Sequence, residues 1–283
     1  MKNIIKYQLK SRRQAMLLTI GIITVLHAVV WILEGIEILK GGHELTSSLV
    51  FWIALCSGIM FIIMVIQFIF CSSGHVSDLL YKDTSYLMLT IPRRGWQVLG
   101  GRFVAGLLEY LIYAASIIVL SAIHGIIGLI LVSATPALFW KFLGYMVREL
   151  FILNFDTVLW VAFILVFMFI VTGIIINFVS VLSRSIVRRK SASVAIATVG
   201  FFFIIHWTFR LGVFISRHLG WYGRLFFKMG EHFNPPIDPS ERIINFPIVK
   251  EFFIPVAPFI LYLIIAALLF WASSWLFEKK VEV

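Results

Sequence analysis

The chain has 283 residues, of which 61% are hydrophobic and only 13% charged, with a mean hydropathy of +1.00. Soluble domains carry about 25% charged residues, so the polar surface needed to cover a water-soluble globule is missing. The formal net charge of +10 comes with no nucleic-acid reading module. Its basic residues lie between apolar runs, where they set membrane topology and meet anionic headgroups.

In chain order, the first thirteen residues, MKNIIKYQLKSRR, set Ile4, Ile5 and Leu9 apart from Lys2, Lys6, Lys10 and Arg13. That pattern predicts a short amphipathic helix on the inner leaflet, over 1–13. A basic tail that only sets topology is the alternative. The apolar run from Ala15 to Leu33 has the length of a full span and no small-residue cleavage site behind it. It reads as a retained first helix rather than a signal peptide.

A span needs about 20 mostly apolar residues, and such runs fall at 15–35, 48–70, 98–130, 150–182, 191–214 and 254–277. The expected fold class is therefore all-α: a polytopic bundle of about six transmembrane helices forming a single domain over 1–283. The alternation of a β-barrel strand is absent. With the N-terminus inside, the inner segments hold 15 Lys and Arg and the outer segments 9. That bias predicts cytoplasmic N- and C-termini in a multi-pass cell-membrane protein. Cys56 and Cys71 fall on one predicted helix about 22 Å apart, too far for a disulfide.

Catalytic patterns are scarce. No G-x-x-x-x-G-K-[ST] run occurs, so the chain builds no P-loop of its own. His43-Glu44-Leu45-Thr46-Ser47 has Ser47 where a zinc protease needs its second histidine. Cys71-Ser72-Ser73-Gly74 offers a serine without an arguable base and acid. Not being an enzyme, and having no catalytic, metal or cofactor residues and no cofactor, are the resulting expectations.

Ionisable residues within spans are costly, about 2.5–3.5 kcal/mol at a helix centre. Glu109 falls near the midplane of the third span. It is either a point on a substrate or ion path or a carboxyl hydrogen-bonded within the bundle. Asp156, beside Asn154, is either a path residue or a helix-start acid near water. Both are candidate translocation-path residues. Glu34 and Glu37, at the outer end of the first span, are expected to be solvated. His27, His124 and His206 are expected to be bundle hydrogen-bond partners rather than ligands.

Beyond the fifth span lies an expected extracellular loop, 209–253. Its start places Arg210, Arg217, Arg224 and Lys228 along one side of a helix over 209–229, resting among outer headgroups; an extension of the fifth helix into water is the alternative. Asn234-Pro235-Pro236-Ile237-Asp238-Pro239 then breaks any helix. Pro255 and Pro258 are expected to allow a kink or a short re-entrant piece.

Residues 72–104 read SSGHVSDLLYKDTSYLMLTIPRRGWQVLGGRFV. Here a short helix with Val76, Asp78, Leu79, Leu80 and Tyr81 is held between two spans, its apolar residues expected to face the cytosol and a protein partner; an interfacial helix lying on lipid is the alternative. Arg93, Arg94 and Trp96 mark the interface. This loop, 72–92, resembles the one between the second and third spans of the ABC-2 type permeases, the membrane subunits of bacterial ABC exporters. The likeness rests on Asp78-Leu79-Leu80, on Leu87-Met88-Leu89-Thr90-Ile91-Pro92 and on Gly100-Gly101-Arg102 opening the third span. The ending Trp275-Leu276-Phe277-Glu278-Lys279-Lys280-Val281-Glu282-Val283 is similar too. The resemblance implies a bacterial cell-membrane transport subunit whose coupling helix docks on a separate ATP-binding cassette ATPase subunit. It also implies a second, identical or related permease copy lining the path. A non-transporting scaffold or sensor is the alternative reading.

Overall fold

In the computed structural model, residues 2–40, 47–81, 94–132, 140–141, 144, 147–148, 155–187, 189–226 and 251–279 are described. The long helices are α1 (Lys2–Leu39), α2 (Ser47–Ser72), α4 (Gly95–Val132), α5 (Phe155–Ile186), α6 (Lys190–Leu219) and α7 (Ala257–Lys279). The short α3 (Val76–Tyr81) lies between α2 and α4. Strands β1 (Tyr222–Phe226) and β2 (Glu251–Pro255) form an antiparallel ribbon between α6 and α7. Among the described residues, six helices are long and apolar enough to cross a membrane.

Their burial is reversed relative to a soluble protein. Leu18, Phe61, Ile118, Val199 and Trp271 are all at least 66% exposed. Gln8, His27, Glu34, Arg102, Glu109, Asn177 and Ser183 are buried. Apolar side chains outward and polar ones inward suit a lipid solvent, where polar groups find partners only inside the bundle. This is the arrangement of a multi-pass membrane protein.

One set of helices, α1, α2 and α4, packs around Ile23, Val30, Cys56 and Met60. The other, α5, α6 and α7, packs around Phe167, Val171, Ile175, Val179 and Tyr262. The sets meet in an aromatic cluster in which Phe68, Phe103 and Tyr110 surround Phe169 at ring separations of 5.3–5.8 Å. Close approach there depends on glycine. A Cβ on Gly106 of α4 would fall 2.0 Å from the Cys71 carbonyl oxygen, and one on Gly173 of α5 would fall 2.0 Å from that of Ser72.

Contacts place the start of α1 and the end of α7 at the same end of the bundle. Gln8 reaches the α2–α3 turn at Gly74, and Glu278 accepts a hydrogen bond from the Gly95 backbone N–H at the start of α4. This is the near end of the bundle. At the far end the ribbon sits over α6 and α7, and Ser216 Oγ accepts the Ala257 N–H at 3.0 Å.

Several expectations change. Residues 2–13 do not form a separate surface helix; they run without a break into the first span as α1. The helix expected over 209–229 stops at Leu219, because Gly220 adopts φ 66° and its N–H closes on Ser216 O. A left-handed glycine ends a helix in this way at little cost. Arg224 therefore lies on β1, and Lys228 and the proline-rich break at 234–239 lie outside the described residues. Pro255 ends β2, and Pro258 is the second residue of α7. In a first turn the missing N–H has no intrahelical acceptor to lose, so no kink follows.

A buried ion network at the α2–α3 turn

The chain leaves α2 through Ser73-Gly74-His75, with Gly74 at φ 58° and His75 at φ 53°. The left-handed region disfavours a side chain at His75, so the bundle has to hold it there. Three donors do so. Gln8 Nε2 and Arg102 Nε donate to Gly74 O at 3.1 and 3.2 Å, and Arg102 Nη2 donates to His75 O at 3.0 Å. A turn that would otherwise bury two unpaired carbonyls is thus satisfied by α1 and α4.

Held in this way, His75 meets Glu109, which is fully buried. The His75 ring Nε2 donates to Oε2 at 3.0 Å. Tyr113 Oη donates to Oε1 at 2.8 Å, and Arg12 Nη2 lies 3.3 Å from the same oxygen. Arg12 also faces Asp78 of α3 at 3.9 Å. The carboxylate of α4 therefore links α1 through Arg12, the turn through His75 and its own helix through Tyr113. Charge-assisted bonds of this type are stronger than neutral ones and fix geometry.

The α3 residues divide. Val76, Leu79 and Leu80 are buried against Val98, Leu99, Val181 and Phe277. The expectation that these side chains face the cytosol is corrected: a six-residue helix cannot stand alone in water, and its apolar face is covered by the bundle instead. Ser77 is exposed and Asp78 half-buried. The Tyr81 side chain and residues 82–93 lie outside the described residues. Leu79→Ala is expected to cost about 2–5 kcal/mol, because Leu79 is 1% exposed. The thermal midpoint of the purified protein in detergent measures this, and an unchanged midpoint would mean that α3 is not packed on the bundle.

The 38-residue α4 is about 57 Å long, longer than a hydrocarbon core of about 30 Å, and its Glu109 lies level with the α2–α3 turn, where His75 meets it. Of its two readings, the bundle hydrogen-bonded one describes its contacts. Asp156 is in the first turn of α5 at the far end, remote from Glu109, and its side chain lies outside the described residues, as does Glu37's. Glu34, expected to be solvated, is 1% exposed and packs beside His124. His206 is exposed.

Arg12, His75 and Arg102 escaped the sequence reading as site residues. Arg12 and Arg102 resemble ordinary topology-setting charges there, and His75 is one polar residue in a turn. Gly74 beside His75, and Arg102 after two glycines, were the available signals.

Cys71 Sγ, a His75 nitrogen and a Glu109 oxygen lie within 4.8 Å of one another, a donor set that zinc accepts. The Arg12 guanidinium already sits on that carboxylate and opposes a second cation there.

Searches against protein-family models, curated proteins and solved structures find no match to this chain.

Proposed function

We propose that this chain is the permease subunit of a bacterial ABC exporter, with both termini cytoplasmic and a separate ATP-binding subunit supplying the hydrolysis. The observation that carries this reading is α3. It is a short helix between two span-length helices, it presents Ser77 outward, and it is joined to the bundle by the Arg12–Asp78 ion pair as well as by apolar packing. A push on α3 would act on Arg12 of α1 through Asp78. Through the turn and His75 it would act on Glu109 of α4. Those two helices would then tilt together, as a switch between inward- and outward-open states requires. The docking surface is the outward face of α3, with Val76, Leu79 and Leu80 supporting it from beneath. Two permease copies, identical or related, would enclose the path. The sequence likeness of residues 72–104 to ABC-2 type permeases supports the same reading.

A photo-cross-linking residue at position 77 provides the test. The expected product is a covalent adduct with a protein that carries a Walker nucleotide site and whose ATP hydrolysis depends on this chain. Adducts with lipid alone, or an ATPase whose turnover is unaffected by this chain, would overturn the assignment.

A further inference from the structure

We propose that the outer face of α6 binds one anionic phospholipid, its phosphate held by Arg210 and Arg217 and one acyl chain lying in the groove between α5 and α6. The site does not depend on the permease reading.

The sequence of α6 sets the face. Ala195, Val199, Phe203, His206, Arg210 and Arg217 follow one another at intervals of 4, 4, 3, 4 and 7, which lines them up along one side of a helix. All six are exposed. The buried residues of α6 are Ser193, Thr208, Gly212 and Ser216. They are small and lie on the opposite side, where Gly212 and Ser216 meet the start of α7.

The exposed face changes character along its length. Val199 and Phe203, with Ile196, look across an apolar groove of about 520 Å³ to Phe178, Val179 and Leu182 of α5. Above the groove stand an imidazole and two guanidiniums. Ionisable residues in a span ordinarily face the bundle interior, as Glu34, Arg102 and Glu109 do. His206, Arg210 and Arg217 face outward.

Depth agrees with a headgroup site. Arg210 is about 30 Å along α6 from Lys190, about the thickness of the hydrocarbon core. With Lys190 at the near headgroups, Arg210 stands at the boundary of the far ones, and Arg217 lies about 10 Å further out. Trp207, Trp221 and Tyr222 are exposed around this level, as interfacial aromatic residues are. The groove starts at Ile204, about 9 Å below Arg210, and ends at Ala195, about 22 Å below it. The chains of one leaflet reach about 15 Å, into the middle of that interval.

Charge selects the occupant. The α6 helix contains no Asp or Glu, and no ion pair among the described residues engages Arg210 or Arg217. A second copy packed α6 against α6, about an axis along the membrane normal, would set these guanidiniums against their own counterparts. A zwitterionic lipid brings its own cation beside its phosphate. An anionic phospholipid supplies a net negative charge and an acyl chain at the two places that fit them, and guanidinium forks bind phosphate oxygens in pairs.

The test uses the full chain purified in detergent, with native mass spectrometry counting the lipids it retains. The probes are dipalmitoyl phosphatidylglycerol, phosphatidylcholine with the same chains, and glycerol 3-phosphate, which has the phosphate without the chains. The expected result is one phosphatidylglycerol per chain, held more tightly than phosphatidylcholine and not displaced by glycerol 3-phosphate. Its affinity should fall about thirtyfold in R210Q/R217Q, the effect of two basic residues at a lipid surface. V199W, which fills the groove, should weaken the binding of both phospholipids. K2Q/K6Q, at exposed cations of the near end, should change neither. All of these side chains are exposed, and an unchanged thermal midpoint without added lipid verifies that the variants fold. Equal binding of the two phospholipids, phosphatidylglycerol affinity unchanged in R210Q/R217Q or V199W, a loss that follows K2Q/K6Q instead, displacement by glycerol 3-phosphate, or a dimer that excludes the lipid would each overturn the assignment.

Discussion

Gly106→Ala and Gly173→Ala are each expected to destabilise the bundle by about 3 kcal/mol, the upper end of the range for overpacking. Alanine is normally the better helix former, by about 1 kcal/mol, so the expected sign opposes propensity. The reason is what the added methyl meets. At Gly106 it falls 2.0 Å from Cys71 O and 3.0 Å from Cys71 C; at Gly173, 2.0 Å from Ser72 O and 2.7 Å from Ser72 C. These are backbone atoms of α2, and no side-chain rotation relieves the overlap. Either α2 moves away by more than 1 Å, on the order of the overlap with a normal contact, or the helix unfolds locally. Moving the end of α2 also displaces His75 from Glu109. Gly21→Ala and Gly58→Ala are the controls, since a Cβ there meets nothing within 4 Å. Thermal and denaturant unfolding in detergent should separate the two pairs. Equal stability of G106A and G21A would show that the three helices do not approach as described.

Glu109→Gln is expected to cost about 3 kcal/mol, near the lower end for breaking a buried ion pair. The lower end applies because Arg12 is 23% exposed and retains Asp78 at 3.9 Å. His75 and Tyr113 bond to different oxygens of Glu109, so the single amide oxygen would serve one of them and the NH2 would face the other, while Arg12 would lose its carboxylate. Combining E109Q with R12Q should cost less than the two separate losses added together, since neither partner is then left charged and alone. A coupling energy between about 0.5 and 3 kcal/mol is expected for residues in one network. Additivity of the two changes in denaturant unfolding would contradict the pairing.

Membrane class, the number of long helices and their approximate positions follow from composition and run length, because lipid demands about 20 apolar residues at each crossing. The runs expected at 98–130 and 191–214 correspond to α4 and α6 within a few residues. Glu109 was also legible, as an isolated carboxyl in an apolar run whose cost requires partners. The identity of those partners was not. Arg12 is 97 residues from Glu109 in sequence and His75 is 34, and no local pattern connects them.

Other outcomes depended on where neighbouring segments lie. Leu79 and Leu80 read as a surface patch because the sequence shows a polar turn around them. Val181 and Phe277, which cover them, come from α5 and α7. Glu34 and His124 each read as ordinary helix-end or scattered polar residues until α1 and α4 are laid side by side. The stop of α6 at Gly220 was visible as a glycine, but basic residues at helical spacing on both sides argued for continuation. The left-handed turn and the pairing of β1 with β2 decided it. Hydropathy is a property of each segment and is written along the chain. Which polar side chain meets which depends on the rotation and depth of each helix in the bundle, and only close packing at contacts such as Gly106 and Gly173 sets those.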